Sequence, residues 1–449
     1  MADIIIENGA LIPMDGKNVI IENGSVVIER DKIVDIGKTK FIKNNYKGDV
    51  VIDATDKIVL PGLVNGHAHT WFNLFRNIFG DKTIGYLISN VFPSITDSIK
   101  QDEVHIGAKL AFIEMIKSGT TSLLDNPPIF VGGKSPVKPT ATAVKESGMR
   151  CVIAPGMMPV GSDADKGVKE YRRLIRKWHG KSQGRVQIWP SPMEPWPTEL
   201  LVPFNEVAKK YKVGITIHLA ETNEDQNYTM KEYGKRHVNL LSEFGILGPN
   251  FVGSHSIWLS DSEMKLLAES GSKVVYAPGS VMSQGSGIAP VAKMLKLGTV
   301  VGLGSDGAAF NVDMFEEMRL TALIQKGYNL DPTCISSYKV LEMATIDAAK
   351  TLLLDKSIGS IKKGKKADLI IVDVKKAHIV PRHDIFQSLV FSARGGDVQT
   401  VIINGKIVMD NKVIKTLDES EIIDKGENAA KILVERAIPP RFLPKTMTK

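Results

Sequence analysis

Cysteine is nearly absent: Cys151 and Cys334 are the only two in 449 residues. Neither has a second cysteine close by, which excludes a disulfide framework and a thiolate metal site and predicts a cytoplasmic setting with reduced thiols. Long apolar runs are missing as well. No stretch reaches the roughly eighteen consecutive apolar residues that suggest a membrane span. The opening MADIIIENGALIPMDG has no basic flank ahead of an apolar segment, so neither secretion nor membrane insertion is expected. No G-x-G-x-x-G follows the first strand of the α/β region, which disfavours a dinucleotide fold. An acidic excess is lacking too, since 57 Lys and Arg against 50 Asp and Glu leave a formal charge of +7. The basic residues are scattered. YRRLIRKWHGK (171–181) and KKGKKAD (362–368) are the densest stretches, and they read as a helix face and a turn. With no recognition motif beside them they predict solvated surface rather than a nucleic-acid site.

What is present is enough apolar material for a large core, at 43% of residues. Residues 1–57 hold short β-rich runs (IIIENGALI, NVIIENGSVVIER, KIVDIG, DVVIDAT) broken by Asn-Gly and Asp-Lys turns, the pattern of hairpins. Over 58–358, apolar strands alternate with amphipathic helices, and about eight of them predict a closed (β/α)8 TIM barrel. They run IVLPGLVNGHAH, TTSLLD, RCVIAP, RVQIWPSP, VGITIHLAET, FVGSHSIWL, KVVYAP and TVVGLGSD. In DEVHIGAKLAFIEMIKSG the apolar spacing is helical and Gly119 marks the stop. Asp313 and Glu316 form a candidate capping box ahead of a later helix. Over 359–449 the β pattern returns (KADLIIVDV, VQTVIINGKIVMDNKVI) before a helix and a Pro-containing arm. Each terminal β segment is too thin to bury a core alone, so the two are expected to meet as one small β-sandwich into which the barrel is inserted.

The chemistry begins with PGLVNGHAHT, where His67 and His69 finish an apolar strand. Strand alternation sends both side chains to one face, close enough to share a metal ion; the alternative is a strand emerging into water with two exposed imidazoles. In a barrel of this kind, function gathers at the C-terminal ends of the strands. The other polar surprises lie there: His218 and Glu221 end the fifth strand, His255 the sixth and Asp306 the eighth. Singly, His218 or His255 could be a hydrogen-bonded core histidine and Asp306 a helix cap. Jointly, imidazoles and a carboxylate at one mouth make a nitrogen and oxygen site for a divalent ion with a position open to water.

PGLVNGHAH, HLAET, GSH and GSDGA, in this order, resemble the amidohydrolase superfamily, and in particular its branch of adenosylhomocysteine/methylthioadenosine deaminases and triazine, chlorohydrolase-like hydrolases. The resemblance covers nearly the whole chain, including IGSIKKGKKADLIIVD near the C-terminus. It implies His67, His69, His218 and Asp306 as metal ligands and Glu221 and His255 as a catalytic pair. Barrels that hold two metals generally carry a bridging lysine on the fourth strand; RVQIWPSP ends without one, so one ion is expected, Zn²⁺ or alternatively Fe²⁺. The resemblance also implies a homodimer or homotetramer.

The expected activity is hydrolytic deamination of a nitrogen heterocycle of purine, pterin or triazine type. The ion lowers the pKa of its water from about 15.7 towards 7, Asp306 takes the proton, and the resulting hydroxide attacks the ring carbon. Glu221 then protonates a ring nitrogen while His255 orients the centre. Release of an alkylamine or halide from a triazine is the rival reaction, and a barrel that binds without catalysis is the rival of another class. Where the adenosyl-type deaminases resemble WPxEA, PHAPY and CPxSN, this chain has FPSIT, PSPME and APGSV, with Ile95, Ser191, Ala277 and Val281 in place of polar residues. That predicts weaker nucleoside selectivity. Trp71, Phe72, Trp189, Met193 and Trp258 lie near the strand mouths and are candidates to pack on a flat ring, with ordinary core packing as the alternative for each.

Overall fold

In the computed structural model, residues 2–128, 135–157, 164–307 and 311–443 are described. Five strands open the chain: β1 (Ala2–Leu11), β2 (Ile21–Glu29), β3 (Lys32–Lys38), β4 (Gly48–Asp53) and β5 (Lys57–Pro61). Eight parallel strands follow, interleaved with helices. They are β6 (Leu63–Ala68), β7 (Thr120–Asp125), β8 (Arg150–Ile153), β9 (Val186–Ile188), β10 (Ile215–Leu219), β11 (Phe251–His255), β12 (Lys273–Tyr276) and β13 (Val300–Leu303). Last come β14 (Leu369–Asp373), β15 (Val398–Ile403), β16 (Lys406–Asp410) and β17 (Val413–Ile414).

The terminal segments do meet, and they do so edge to edge. They form one nine-stranded sheet in the order β17-β16-β15-β14-β5-β1-β2-β3, with β4 also on β1. Its two central strands are apolar from Ile58 to Pro61 and from Leu369 to Val372 because both faces are covered there. Val59, Leu369 and Ile371 pack into a cluster with Ile4, Ile6, Val26 and Ile28, whereas Ile58, Leu60, Ile370 and Val372 join the main core. The run Ile58–Ala68, expected as a single first barrel strand, is therefore two strands. Residues Ile58 to Pro61 lie in β5 and pair with β14, and the barrel begins at Leu63. Gly62 makes the break possible, since a Cβ there would stand 2.2 Å from the Thr121 side chain.

A buried ion pair links sheet to barrel. Arg150, at the start of β8, donates to both carboxylate oxygens of Asp368 at 3.0 and 3.1 Å, and the two side chains are 4% and 1% exposed. Removing one partner of such a pair strands a buried charge, at about 3–5 kcal/mol. Asp368→Ala is accordingly expected to lower the unfolding free energy by that order, measured by urea denaturation.

The eight barrel strands run as two sheets of four, β6-β7-β8-β9 and β10-β11-β12-β13. Single bridges close the two seams, Ala68 with Asp306 and Met193 with Ile217. Both seams carry candidate site residues or their immediate neighbours. Gly304 lets β13 approach β6 there, because a Cβ at Gly304 would fall 2.8 Å from the His67 carbonyl oxygen.

The helix read from DEVHIGAKLAFIEMIKSG spans Gln101–Lys117, and Gly119 follows with φ of +86°. Asp313 caps the Met314–Asn329 helix by accepting from the Phe315 amide at 2.9 Å. The predicted capping box does not close. Asn311 intervenes, accepting from the Asp313 amide and donating to Glu316. The C-terminal helix, Glu419–Ala437, packs Leu433, Val434 and Ala437 into a cluster with Trp71, Phe72 and Ile95.

Candidate metal centre

The strand ends bring His67, His69, His218, His255, Asp306 and Glu221 together, all of them buried. His69 lies just beyond β6, with its Nδ1 2.8 Å from the Asn126 carbonyl oxygen. His218, on β10, has Nδ1 3.0 Å from the Met193 carbonyl oxygen. A carbonyl can only accept, so in both rings Nδ1 carries the proton and Nε2 presents a lone pair. Those two Nε2 atoms face each other at 3.3 Å. Two acceptors at that distance repel unless a cation lies between them.

Asp306 completes the group, with Oδ1 3.2 Å from His67 Nε2 and 3.3 Å from His69 Nε2. Donors bonded to Zn²⁺ at about 2.0–2.1 Å and near-tetrahedral angles stand about 3.3 Å apart, which is the spacing observed. His67, His69 and His218 form one set of convergent ligand atoms, and His67, His255 and Asp306 a second. Both ring nitrogens of His67 and of His255 lack hydrogen-bond partners among the described residues. Buried polar atoms left bare in this way are uncommon, so the donor set fits a divalent ion.

Electrostatics assigns protonation states that suit this fit. Burial pushes His69 down to about 4, helped by the neighbouring His67 and opposed by Asp306. Burial likewise lowers His218, with His67 and His69 adding to the effect, and it lowers His255. Neutral imidazoles are ligands; protonated ones are not. Burial works against the charge on Asp306, but the surrounding His255, His67 and His69 outweigh it and hold the carboxylate ionised. Glu221 goes the other way. Burial, then Asp306 and Asp225, raise its carboxyl well above the ordinary range. Its Oε2 stands 3.7 Å from His255 Nε2.

Several turns at the rim are strained. Ala220, His255, Ser256 and Asp306 have φ between +50° and +70°, a conformation costly for residues with a Cβ and frequent at functional sites. Ser280, at the start of the short Pro278–Ser283 helix, donates to Asp306 Oδ2 at 2.7 Å. Behind it, the buried Glu317 accepts from the Gly279 amide at 3.0 Å. A group that orients a metal-ligating carboxylate is typically worth 10–100-fold in metal affinity or activity. Ser280→Ala is therefore expected to lower kcat/KM or bound metal by about that factor, read by titrating metal into the chelated protein.

The candidate ring-packing residues divide. Trp189 is a core side chain, not a ring contact: it is fully enclosed, and its indole covers Gly214 so closely that a Cβ there would lie 2.4 Å away. Trp71 is buried and stacked on Phe72 at 4.0 Å, and Phe72 meets the His69 ring edge-on at 5.6 Å. Trp258 is 42% exposed at the end of β11 and donates to the Ser286 carbonyl at 2.8 Å. Met193 serves the site through its backbone, as the anchor of His218.

Sequence reasoning passed over Asp125, Ser280 and Glu194. Asp125 ends β7, accepts from the Thr70 amide at 2.8 Å and is pushed up to about 7 by burial. An acid closing the apolar run TTSLLD carried the same signal as His67 and His69. Glu194 lies in PSPME, three residues beyond Ser191.

Comparison with known proteins agrees with this geometry. Residues 58–408 match the amidohydrolase family. A 5'-deoxyadenosine deaminase of Methanosarcina barkeri is 39% identical, over 97% of this chain and 99% of that relative. A 5-methylthioadenosine/S-adenosylhomocysteine deaminase of Desulforamulus reducens is 35% identical, over 96% and 99%. Among solved structures, an adenosine deaminase from Xanthomonas campestris with bound zinc superposes with a TM-score of 0.91 at 24% identity, over 97% of this chain and 99% of that one. Atrazine chlorohydrolase from Arthrobacter aurescens, complexed with zinc, reaches 0.90 at 23% identity, over 95% and 100%. With the family matched across most of its length and full-length relatives well above 30% identity, the chain belongs to the amidohydrolase family, as a metal-dependent deaminase.

Proposed function

We propose that the substrate is an adenosine-like nucleoside, with 5'-deoxyadenosine the first candidate, and that the ring amino group leaves as ammonia. The observation that carries this reading is the pair of facing acceptor nitrogens on His69 and His218, with the Asp306 carboxylate 3.3 Å from His69 and Glu221 3.7 Å from His255. The deaminase relatives, similar from end to end, support the choice of ring.

His67, His69, His218 and Asp306 would hold one divalent ion, zinc in the first instance. When bound, such an ion supplies a water acidified from about 15.7 towards 7. The protein does the rest. Asp306, kept ionised, accepts the proton that water sheds. Glu221 donates its proton to the ring nitrogen next to the amino-bearing carbon, so that negative charge does not accumulate on the ring. His255, neutral and beside Glu221, orients the oxygen being added. Asp306 passes the proton it accepted to the departing amino group, which leaves as ammonia as its bond to the ring carbon breaks; the added oxygen stays on that carbon as a carbonyl, and the proton it loses restores Glu221.

A panel of adenine nucleosides, pterins and triazines, assayed for ammonia, alkylamine and halide with metal-loaded and chelated protein, tests the assignment. Ammonia from adenine nucleosides is expected. Halide or alkylamine release in its place would select the triazine reaction, and no product at all would leave a binding barrel. Elemental analysis tests zinc against iron. The family resemblance supports a homodimer or homotetramer in the cytoplasm, which light scattering and cell fractionation would check. No described helix is long and apolar enough to cross a membrane.

A further inference from the structure

We propose that His237 is the positioning residue of the proton donor, its imidazole holding the turn that presents Glu221 to the substrate; this rests on the reading of Glu221 given above. Of the buried histidines, His237 alone stands outside the metal centre, at the start of the short His237–Glu243 helix. Its Nδ1 accepts from the Ala220 amide at 3.0 Å, across 17 residues of chain. An amide can only donate, so this nitrogen offers its lone pair and the neutral ring carries its proton on Nε2. The Trp196 ring meets the imidazole edge-on, with centroids 5.4 Å apart.

Ala220 follows β10 and immediately precedes Glu221. Its φ of +50° is costly for a residue with a Cβ and persists only where the surroundings impose it. They impose it from both ends. On the carbonyl side, the amides of Ile257 and Trp258, just beyond His255, donate to Ala220 at 3.1 and 3.0 Å. On the nitrogen side the restraint is His237, the one bond to Ala220 made by a side chain. Past Glu221, Thr222 and Asp225 close a capping box at 3.1 Å in each direction. Glu221 is thus held between two fixed residues.

His237 is itself tied down. Its amide donates to Gln226 Oε1 at 3.1 Å, and Gln226 Nε2 donates to the Trp258 carbonyl at 3.0 Å. The next amide, of Val238, donates to the buried Glu263 at 3.2 Å. One network therefore joins the turn that carries Glu221 to the turn that carries His255. His237 is not among the atoms that converge on the metal position, so it acts through the turn and not on the substrate. Without an acceptor there, the buried Ala220 amide would be left unpaired. The turn would relax to repair it, and Glu221 would move with the turn. A displacement of about 1 Å in a reacting group can cost about 10²-fold in rate.

The test measures kcat, KM and bound metal for His237→Leu and His237→Asn, which branch alike and of which only Asn has an acceptor. His237→Phe, a second variant with no acceptor, keeps the aromatic contact with Trp196. At equal bound metal, His237→Leu and His237→Phe are expected to lower kcat by about 10- to 10²-fold with KM little changed, and His237→Asn to recover most of the loss. Placed on Glu221→Gln, His237→Phe should cost nothing further, because no acid remains to be misplaced. An additive loss in that background, an equal loss in His237→Leu and His237→Asn, or a loss that follows bound metal would mean a general structural role and would overturn the proposal. Wild-type turnover in His237→Leu and His237→Phe would overturn it as well, and each of these results leaves the role of Glu221 standing. Should Glu221→Gln alone match the wild type, the donor reading and this one fall together.

Discussion

Asp306→Ala is expected to lose at least about 10⁴-fold in kcat/KM, since the general base alone is worth 10²–10⁴ and the metal several kcal/mol more. The change strikes twice. It deletes a carboxylate oxygen 3.2 and 3.3 Å from His67 and His69 and, in the proposed mechanism, the acceptor for the proton of water. Metal content should fall with activity. Asp306→Asn separates the two roles, because its amide oxygen can still face a cation but accepts a proton poorly. Steady-state kinetics with metal analysis on both variants checks this. Near wild-type turnover in either, at full metal content, would show that the proton goes elsewhere.

Glu221→Gln should lower kcat by about 10²–10⁴-fold, the usual contribution of a positioned acid, with KM little changed. The amide keeps the size of the side chain and its place beside His255 but has no acidic proton. The pH dependence of the wild type follows in sign. In its proposed role Glu221 must be protonated to act, and its carboxyl is held well above the ordinary range by burial and by Asp306 and Asp225. Activity that depends on this proton should persist at pH values where an exposed glutamate is fully ionised, then fall as pH rises through the folded value. Glu221→Gln should lack that falling limb. A variant as active as wild type would reject the role.

Much of this centre could be read from short-range pattern. His67 and His69 project to one side because strand residues alternate, and His218, His255 and Asp306 announce themselves as polar residues closing apolar runs. The same logic, applied evenly, would also have found Asp125 at the end of TTSLLD. Trp189 was less legible, since a tryptophan near a strand end is equally suited to a pocket or to a core. Only the absence of a side chain on Gly214, opposite it in space, decides for the core. The capping box at Asp313 failed because Asn311 competes for the same hydrogen bonds, a contest that a four-residue motif does not register.

By itself the sequence determined the alternation of strand and helix, the two terminal β segments and the residue types at each strand end, because these depend on periodicities of two and 3.6 residues within one segment. Tertiary structure decided where the barrel begins, at Leu63 beyond the Gly62 break, and how its seams close. The physical reason is separation along the chain. His69 and His218 are 149 residues apart, and Asn65 reaches its partner Ser305 across 240; only closure of the barrel brings such groups within 3.3 Å of one another and out of water.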